Sequence, residues 1–171
     1  MNPEALYRIS YGMYIVSSHR NGEPNGQISN TVFQVSSSPV MIAVCLNREN
    51  LTNEFVKESK VFSVSVLEKN TPMEFIGRFG FRSGRNYSKF KDIDFFTGKT
   101  GAPIVRDHAV AYIEAEVRHE METSTHTLFV GNVVDAGILS DADVMTYSYY
   151  RQKLKGRVPK TATVYMGDLE R

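Results

Sequence analysis

The segment Gly26-Gln27-Ile28-Ser29-Asn30-Thr31-Val32-Phe33-Gln34-Val35-Ser36 carries hydroxyls and amides in a strand-like stretch where apolar residues would be easier to bury. Alternate side chains of a strand share a face, so Ser29 and Thr31 point one way and Asn30 and Val32 the other, with backbone groups at a strand end left to meet a ligand. A solvated edge strand is the other reading of the same residues. Thr52 opens a short segment with Phe55 and Val56 on one face, and a helix start offers unpaired N–H groups and a positive dipole end to an anion. Gly77 to Lys99 is rich in Gly, Arg, Lys and Phe without clear periodicity, which predicts a functional loop. His126 follows the polar run Glu122-Thr123-Ser124-Thr125, where it is either an exposed turn residue or a site residue.

Several tempting patterns fail. Gly98-Lys99-Thr100 looks like the end of a phosphate-binding loop, but the glycine required five positions earlier is Ile93. His119, Glu120, Glu122 and His126 lack the H-E-x-x-H spacing of a metal helix, so no metal site is expected. Cys45 sits between Val44 and Leu46, which favours a buried, unreactive thiol. No Gly-x-Gly-x-x-Gly run follows an expected strand, so a separate nicotinamide-binding module is not expected.

The elements that must position these groups are mostly strands, because short β-branched and aromatic runs separated by turn residues outnumber helical periodicities. Tyr11 to Ser18 predicts a first strand, Asn21 to Gly26 a turn, and Gln27 to Ser36 the returning partner. Met41 to Leu46 reads as a strand covered on both faces, and Thr52 to Ser59 as a helix with Thr52 or Asn53 at its cap. Val61 to Leu67 alternates as a strand, and Thr71-Pro72-Met73-Glu74 has the pattern of a capping box opening a second helix. Val110 to Val117 and Leu128 to Ile138 predict two long antiparallel strands joined by the polar His119 to Thr127. From Asp143 the chain turns aromatic and basic. Six or seven strands with a few short helices predict a mainly β, Greek-key barrel in one domain over residues 1–171, with 143–171 as a C-terminal arm.

Composition narrows the partners. The 171 residues are 42% hydrophobic and 23% charged, a globular balance, and 20 Lys+Arg against 19 Asp+Glu give no field for a nucleic-acid backbone. With a single cysteine there is no internal disulfide, and with Glu4 and Arg8 ahead of any apolar run neither a signal peptide nor a membrane span is expected; a cytoplasmic protein fits.

The order Ser29-Asn30-Thr31-Val32-Phe33-Gln34-Val35-Ser36, Pro39, an apolar strand ending at Asn47, and Thr52 before a short helix resembles the flavin-reductase-like FMN-binding split-barrel family. Gly80-Phe81-Arg82-Ser83-Gly84-Arg85 with Lys89-Phe90, His126-Thr127-Leu128-Phe129-Val130-Gly131, and the closing Tyr149-Tyr150, Gly156, Pro159-Lys160 and Tyr165 are similar to it as well. The nearest branch is the flavin-reductase domain of high-molecular-weight rubredoxins, although the paired Cys-x-x-Cys motifs of a rubredoxin module are missing.

The resemblance implies a fold, a cofactor and roles. Ser29, Asn30 and Thr31 would line the ribityl chain and ring edge of FMN, with FAD as the alternative, and the backbone of Cys45, Leu46 and Asn47 would run past the ring. Thr52 would meet the phosphate, with Ser83, Arg85 and Lys89 adding donors and charge. His126 would be the catalytic residue beside the flavin, and Tyr149, Tyr150 and Lys160 would reach towards it, often across a homodimer interface. The implied activity is electron transfer from NAD(P)H through FMN to a flavin or a rubredoxin-type protein. An FMN electron carrier reduced only by a partner protein, and a non-redox binding barrel, are the alternatives.

Overall fold

The computed structural model describes residues 2–165 and Gly167, so the last residues of the expected arm lie outside it. Asn21 and Gly22 take φ of 51° and 83°, the left-handed pair that a two-residue hairpin loop needs to match the twist of its strands. They close β1 (Tyr14–Arg20) onto β2 (Glu23–Ser29), with Tyr14 opposite Ser29 and Arg20 opposite Glu23. The turn expected over Asn21 to Gly26 is thus confined to Asn21-Gly22, and Pro24 lies within a strand. Proline is tolerated there because β2 is an edge strand.

The chain continues through β3 (Val32–Ser37), β4 (Val40–Asn47), α1 (Leu51–Ser59), β5 (Val61–Leu67), α2 (Met73–Gly80), β6 (Phe95–Thr97), β7 (Pro103–Val105), β8 (Ala109–Glu122), β9 (His126–Ile138) and α3 (Tyr147–Gln152). Seven strands form one antiparallel sheet in the order β2-β1-β5-β8-β9-β4-β3, and β6 pairs with β7 apart from it. The single strand expected over Gln27 to Ser36 is therefore two strands at opposite edges of the sheet, joined by Asn30-Thr31.

That short link dictates the architecture. A flat sheet of this size would hold its edges roughly 29 Å apart at the usual strand spacing, whereas the three steps from Ser29 to Val32 reach about 11 Å at most. The sheet must curl until its edges nearly meet, while β2 and β3 do not pair with each other among the described residues, which is the split barrel. Cys45 N donates to Thr31 O at 3.2 Å and fastens the link to β4.

Alternation along β1 sends Val16 to one core and Ile15 to another. Val16, Val44, Leu46, Val56, Phe62 and Phe129 fill the first, and Ile15, Leu67, Phe75, Ile76, Phe79 and Phe90 the second. The second core carries α2 and α3 and so places the chain that follows them against the open seam.

Local punctuation differs from expectation at three places. The helix start at Thr71 makes no capping box: Pro72 is the N-cap residue, without a side-chain cap bond, and Thr71 Oγ1 donates to Glu68 O at 2.6 Å. Residues Gly77–Gly80 of the expected loop belong to α2, whose apolar face buries Phe75, Ile76 and Phe79. The polar connection between the long strands shrinks to Thr123–Thr125, as β8 runs on to Glu122 through two bulges. No helix among the described residues is long and apolar enough to cross a membrane.

Glu114, fully buried on β8, accepts hydrogen bonds from Lys99 N at 3.0 Å, Thr100 N at 2.9 Å and Thr100 Oγ1 at 2.6 Å. The failed phosphate-loop pattern is therefore a loop wrapped on a carboxylate, and Gly98 is required because a Cβ would lie 2.0 Å from Glu114 Oε2. Glu114→Ala leaves these donors unmet and should lower stability by about 3 kcal/mol. Urea unfolding checks it, and an unmoved midpoint would show that the loop has other support.

Candidate functional site

Where the seam, the start of α1 and the end of α2 converge, the chain encloses a cavity of about 380 Å³. The corner nearest α1 is the most tightly determined. Asn25, buried on β2, donates from Nδ2 to Thr52 Oγ1 at 2.8 Å. Thr52 is itself buried in the first turn of α1, so it is a lining residue and not the helix cap. Asn50 holds the N-cap position without a side-chain hydrogen bond, which leaves this helix start uncapped, and Asn53 instead donates to Leu46 O at 3.0 Å. Gly84 lies over the same corner. A Cβ there would meet Asn25 Oδ1 at 2.1 Å and Leu51 Cδ2 at 3.1 Å, so only glycine lets the loop after α2 come this close.

Lys89 forms the floor. Its side chain is 6% exposed, and its ammonium donates to Gly26 O at 2.8 Å and Phe79 O at 3.1 Å. No carboxylate pairs with it among the described residues. Burial alone pulls its pKa down to about 8, since removing an ammonium from water disfavours the charged form. On the wall above, Asn30 Nδ2 and Gln27 Oε1 are buried with no hydrogen-bond partner. Buried polar atoms without partners are uncommon, and here a donor and an acceptor both border one cavity.

Of the residues singled out from the sequence, Ser29, Asn30, Cys45, Asn47, Thr52, Ser83, Lys89, Tyr150 and Lys160 line this cavity. Thr31 does not; its hydroxyl donates to Asn30 Oδ1 at 3.2 Å and so orients that amide. Leu46 is fully buried in the core, consistent with a backbone contribution only. Arg85 turns to α1, where it pairs with Glu54, and this hydrogen bond holds the Glu54 carboxyl below its usual range. Burial pushes the Cys45 thiol up, which keeps it protonated and inert near neutral pH.

His126 faces Asn47 across the β4–β9 ladder, with Nδ1 2.8 Å from Thr125 Oγ1. It is not a lining residue. Burial pulls its pKa down, the Thr161 backbone nearby partly opposes this, and Nε2 is buried with no hydrogen-bond partner among the described residues. Thr161 does line the cavity, so the histidine meets the site through the arm.

The arm closes the remaining side. Tyr150 is buried and donates from its phenol to Arg157 O at 2.7 Å. Gly156 lies against that ring, where a Cβ would sit 2.1 Å from Tyr150 Cζ. Residues Arg157 to Val164 then pass along the cavity. Sequence reasoning missed Asn25, Gln27 and Phe79 as lining residues; Asn25 was hidden because Asn21-Gly22-Glu23-Pro24 reads as one long turn.

A family model described as a flavin reductase like domain matches residues 6–156. The chain is 60% identical over 165 residues to a ferric-chelate reductase (NAD(P)H) of Archaeoglobus fulgidus, covering 96% of this chain and 98% of that one. It is 42% identical over 165 residues to a high molecular weight rubredoxin of Moorella thermoacetica, covering 96% of this chain and 72% of that protein. Among solved structures, an NADH:FAD oxidoreductase of Streptomyces globisporus superposes with a TM-score of 0.75 at 25% identity, over 83% of this chain and 84% of that one.

The buried ammonium sets a pH dependence. Lys89 titrates at about 8 in the fold against 10.5 for an unperturbed lysine, so between these values the unfolded chain binds the extra proton and stability rises with pH. Below about pH 8 both states are protonated and the burial penalty is complete. The ligand-free protein should gain on the order of 2–3 kcal/mol between pH 7.5 and 10.5 relative to Lys89→Met. Urea unfolding across that range checks it, and parallel profiles would mean that Lys89 is not desolvated.

Proposed function

The chain belongs to the flavin reductase like family, and from that premise we propose that it is an NAD(P)H-dependent flavoprotein oxidoreductase holding FMN in the cavity beside Asn30 and Thr52. The observation that carries this reading is Lys89, a buried cation with no paired carboxylate among the described residues, in the floor of a cavity whose wall holds two unpartnered amide atoms. Such a wall calls for a ligand with an anionic end and a heteroaromatic body bearing both donors and acceptors, and a flavin nucleotide fits it.

In this assignment the uncapped start of α1, the Thr52 hydroxyl, Ser83 and Lys89 hold the phosphate. Asn25 fixes the Thr52 hydroxyl as an acceptor, leaving its hydrogen to be donated to a phosphate oxygen. Asn30 and Gln27, with Ser29 and the Thr31 that steers Asn30, meet the ribityl chain and ring, and the backbone of Cys45, Leu46 and Asn47 runs beside it. Arg85 acts at one remove, tying the loop to α1 through Glu54. Tyr150 and Lys160 close the site from the arm. His126 stands behind that closure, held by Thr125, and the burial that lowers its pKa favours the neutral ring. FMN is the cofactor assigned here because the phosphate end is walled by Lys89, whose ammonium is held by Gly26 O and Phe79 O.

A bound flavin supplies the redox chemistry, taking a hydride equivalent from reduced nicotinamide and passing electrons to an acceptor. The protein's part is to hold the ring still, to leave one approach open and to keep water from the phosphate corner. The names of the relatives point to two acceptor classes, a ferric chelate and a rubredoxin-type protein supplied in trans. A cytoplasmic homodimer belongs to the same reading. It is supported by Phe33 and Val35 on β3 and Val40 at the start of β4, all close to half exposed, apolar side chains that a second copy would cover.

Stopped-flow mixing of the flavin-loaded protein with NADH or NADPH should bleach the flavin absorbance, and a protein that stays yellow for minutes is not a nicotinamide-linked reductase. Thr52→Val should weaken FMN binding by about 1 kcal/mol or more, roughly fivefold in Kd. Fluorescence titration reads this, and an unchanged Kd removes Thr52 from the phosphate site.

A further inference from the structure

Ion pairing divides the surface in two. Among the described residues, every Lys and Arg outside 75–91 and 144–167 takes part in an ion pair except Arg8, and within those two segments only Arg85 does. Neither segment contains an Asp or a Glu, so the remainder of this nearly neutral chain carries more carboxylates than cations. Both segments border the cavity, the first through Phe81 to Gly84 and the second through Arg157 to Val164. Their helices share one core, in which Phe75, Ile76 and Phe79 of α2 pack with Tyr150 of α3. The unpaired cations therefore form a collar around the mouth of the cavity. Resting on the reading above, we propose that this collar docks a small acidic electron-transfer protein, the one-electron acceptor of the flavin.

The first argument is breadth. Arg82, Arg157 and Lys160 line the cavity, whereas Lys91, Lys153 and Lys155 stand outside it, and all six are exposed. A small anion in the mouth would meet only the first three. A folded partner with carboxylates spread over one face would meet the outer three as well. Glu49 is the one carboxylate among the described residues that line the cavity, so the balance at the mouth is positive.

The second is that the charge is held in place without being cancelled. Arg78 Nη1 donates to Lys91 O at 2.7 Å, Arg151 Nη1 donates to Gly156 O at 3.1 Å, and the Arg82 guanidinium lies 4.6 Å from the centre of the Tyr87 ring. Carbonyls and an aromatic face orient these groups and leave each with its full positive charge. The opposite balance over the rest of the chain turns an acidic partner away from the other faces and steers it to this one.

The third is an apolar centre. Phe81 lines the cavity and is 50% exposed, next to Arg82. An aromatic contact inside a charged rim is the usual anatomy of a protein interface. Here it would set the partner directly over the opening through which electrons leave. Once docked, two such partners in succession each take one electron from a reduced flavin anion. Both ferric centres become ferrous, and one proton passes to solvent as the oxidised flavin is restored.

The test combines Lys91→Glu, Lys153→Glu and Lys155→Glu, three exposed positions outside the cavity, in one holoprotein. Photoreduced wild type and variant are mixed by stopped flow with an oxidised acidic rubredoxin, with ferric citrate, or with the basic protein cytochrome c. At about 10 mM ionic strength the variant should reduce rubredoxin about tenfold more slowly, and at about 1 M the two rates should converge. Flavin content should be unchanged, ferric citrate rates should differ by less than about twofold, and cytochrome c should not slow. A rubredoxin rate that is equal in both proteins, or independent of salt, overturns the proposal. So does an equal loss with ferric citrate, which would give the collar to small anions, or with cytochrome c, which would make the sign of the partner immaterial. If the protein holds no flavin, the flavoprotein reading fails, and fluorescence anisotropy of labelled rubredoxin still decides the collar. About tenfold weaker binding to the variant at low salt supports it, and equal binding or none overturns it.

Discussion

Two residues, Asn30 and Thr31, must join strands at opposite edges of a seven-stranded sheet. The strand geometry of the site follows from that covalent limit. It curls the sheet, leaves a seam between β2 and β3 that backbone hydrogen bonding does not close, and delivers the ends of β2 and β4 to one place. An uncapped helix start arrives at the same place because α1 follows β4 after a short turn. A fully closed barrel would have satisfied these strand ends internally, so the split is what makes room for a ligand.

The second constraint is electrostatic. Lys89 is placed by carbonyls, Gly26 O and Phe79 O, and not by a carboxylate. Carbonyls orient the ammonium without neutralising it, so the charge remains available to whatever enters. The nearby Arg20–Glu54–Arg85 group shows the opposite arrangement, cations and carboxylate satisfying one another on the surface. The site and its surroundings are thus told apart by which cations have been given partners.

Much of this was legible in the amino-acid order. Strands with clean alternation, such as Val61 to Leu67, and the short helix after Asn50 stand as read, and the polar Ser29-Asn30 stretch does border the cavity. What was not legible was long-range. Nothing local distinguishes one long strand over Gln27 to Ser36 from two strands on distant edges, because both alternate alike. Pro24 hid a strand, since its tolerance depends on having an edge position. Arg85 and Lys89 looked interchangeable as cations. Only packing separates one that is paired on the surface from one buried alone.

The unneutralised Lys89 also bears on the life of the protein in a cell. A chain that folds around an unmet charge is least stable when empty, and a tightly bound anion adds stability in proportion to the logarithm of its excess over Kd. Newly made copies that find no nucleotide would open more often and be degraded sooner. Ligand supply would then set how much of the protein survives.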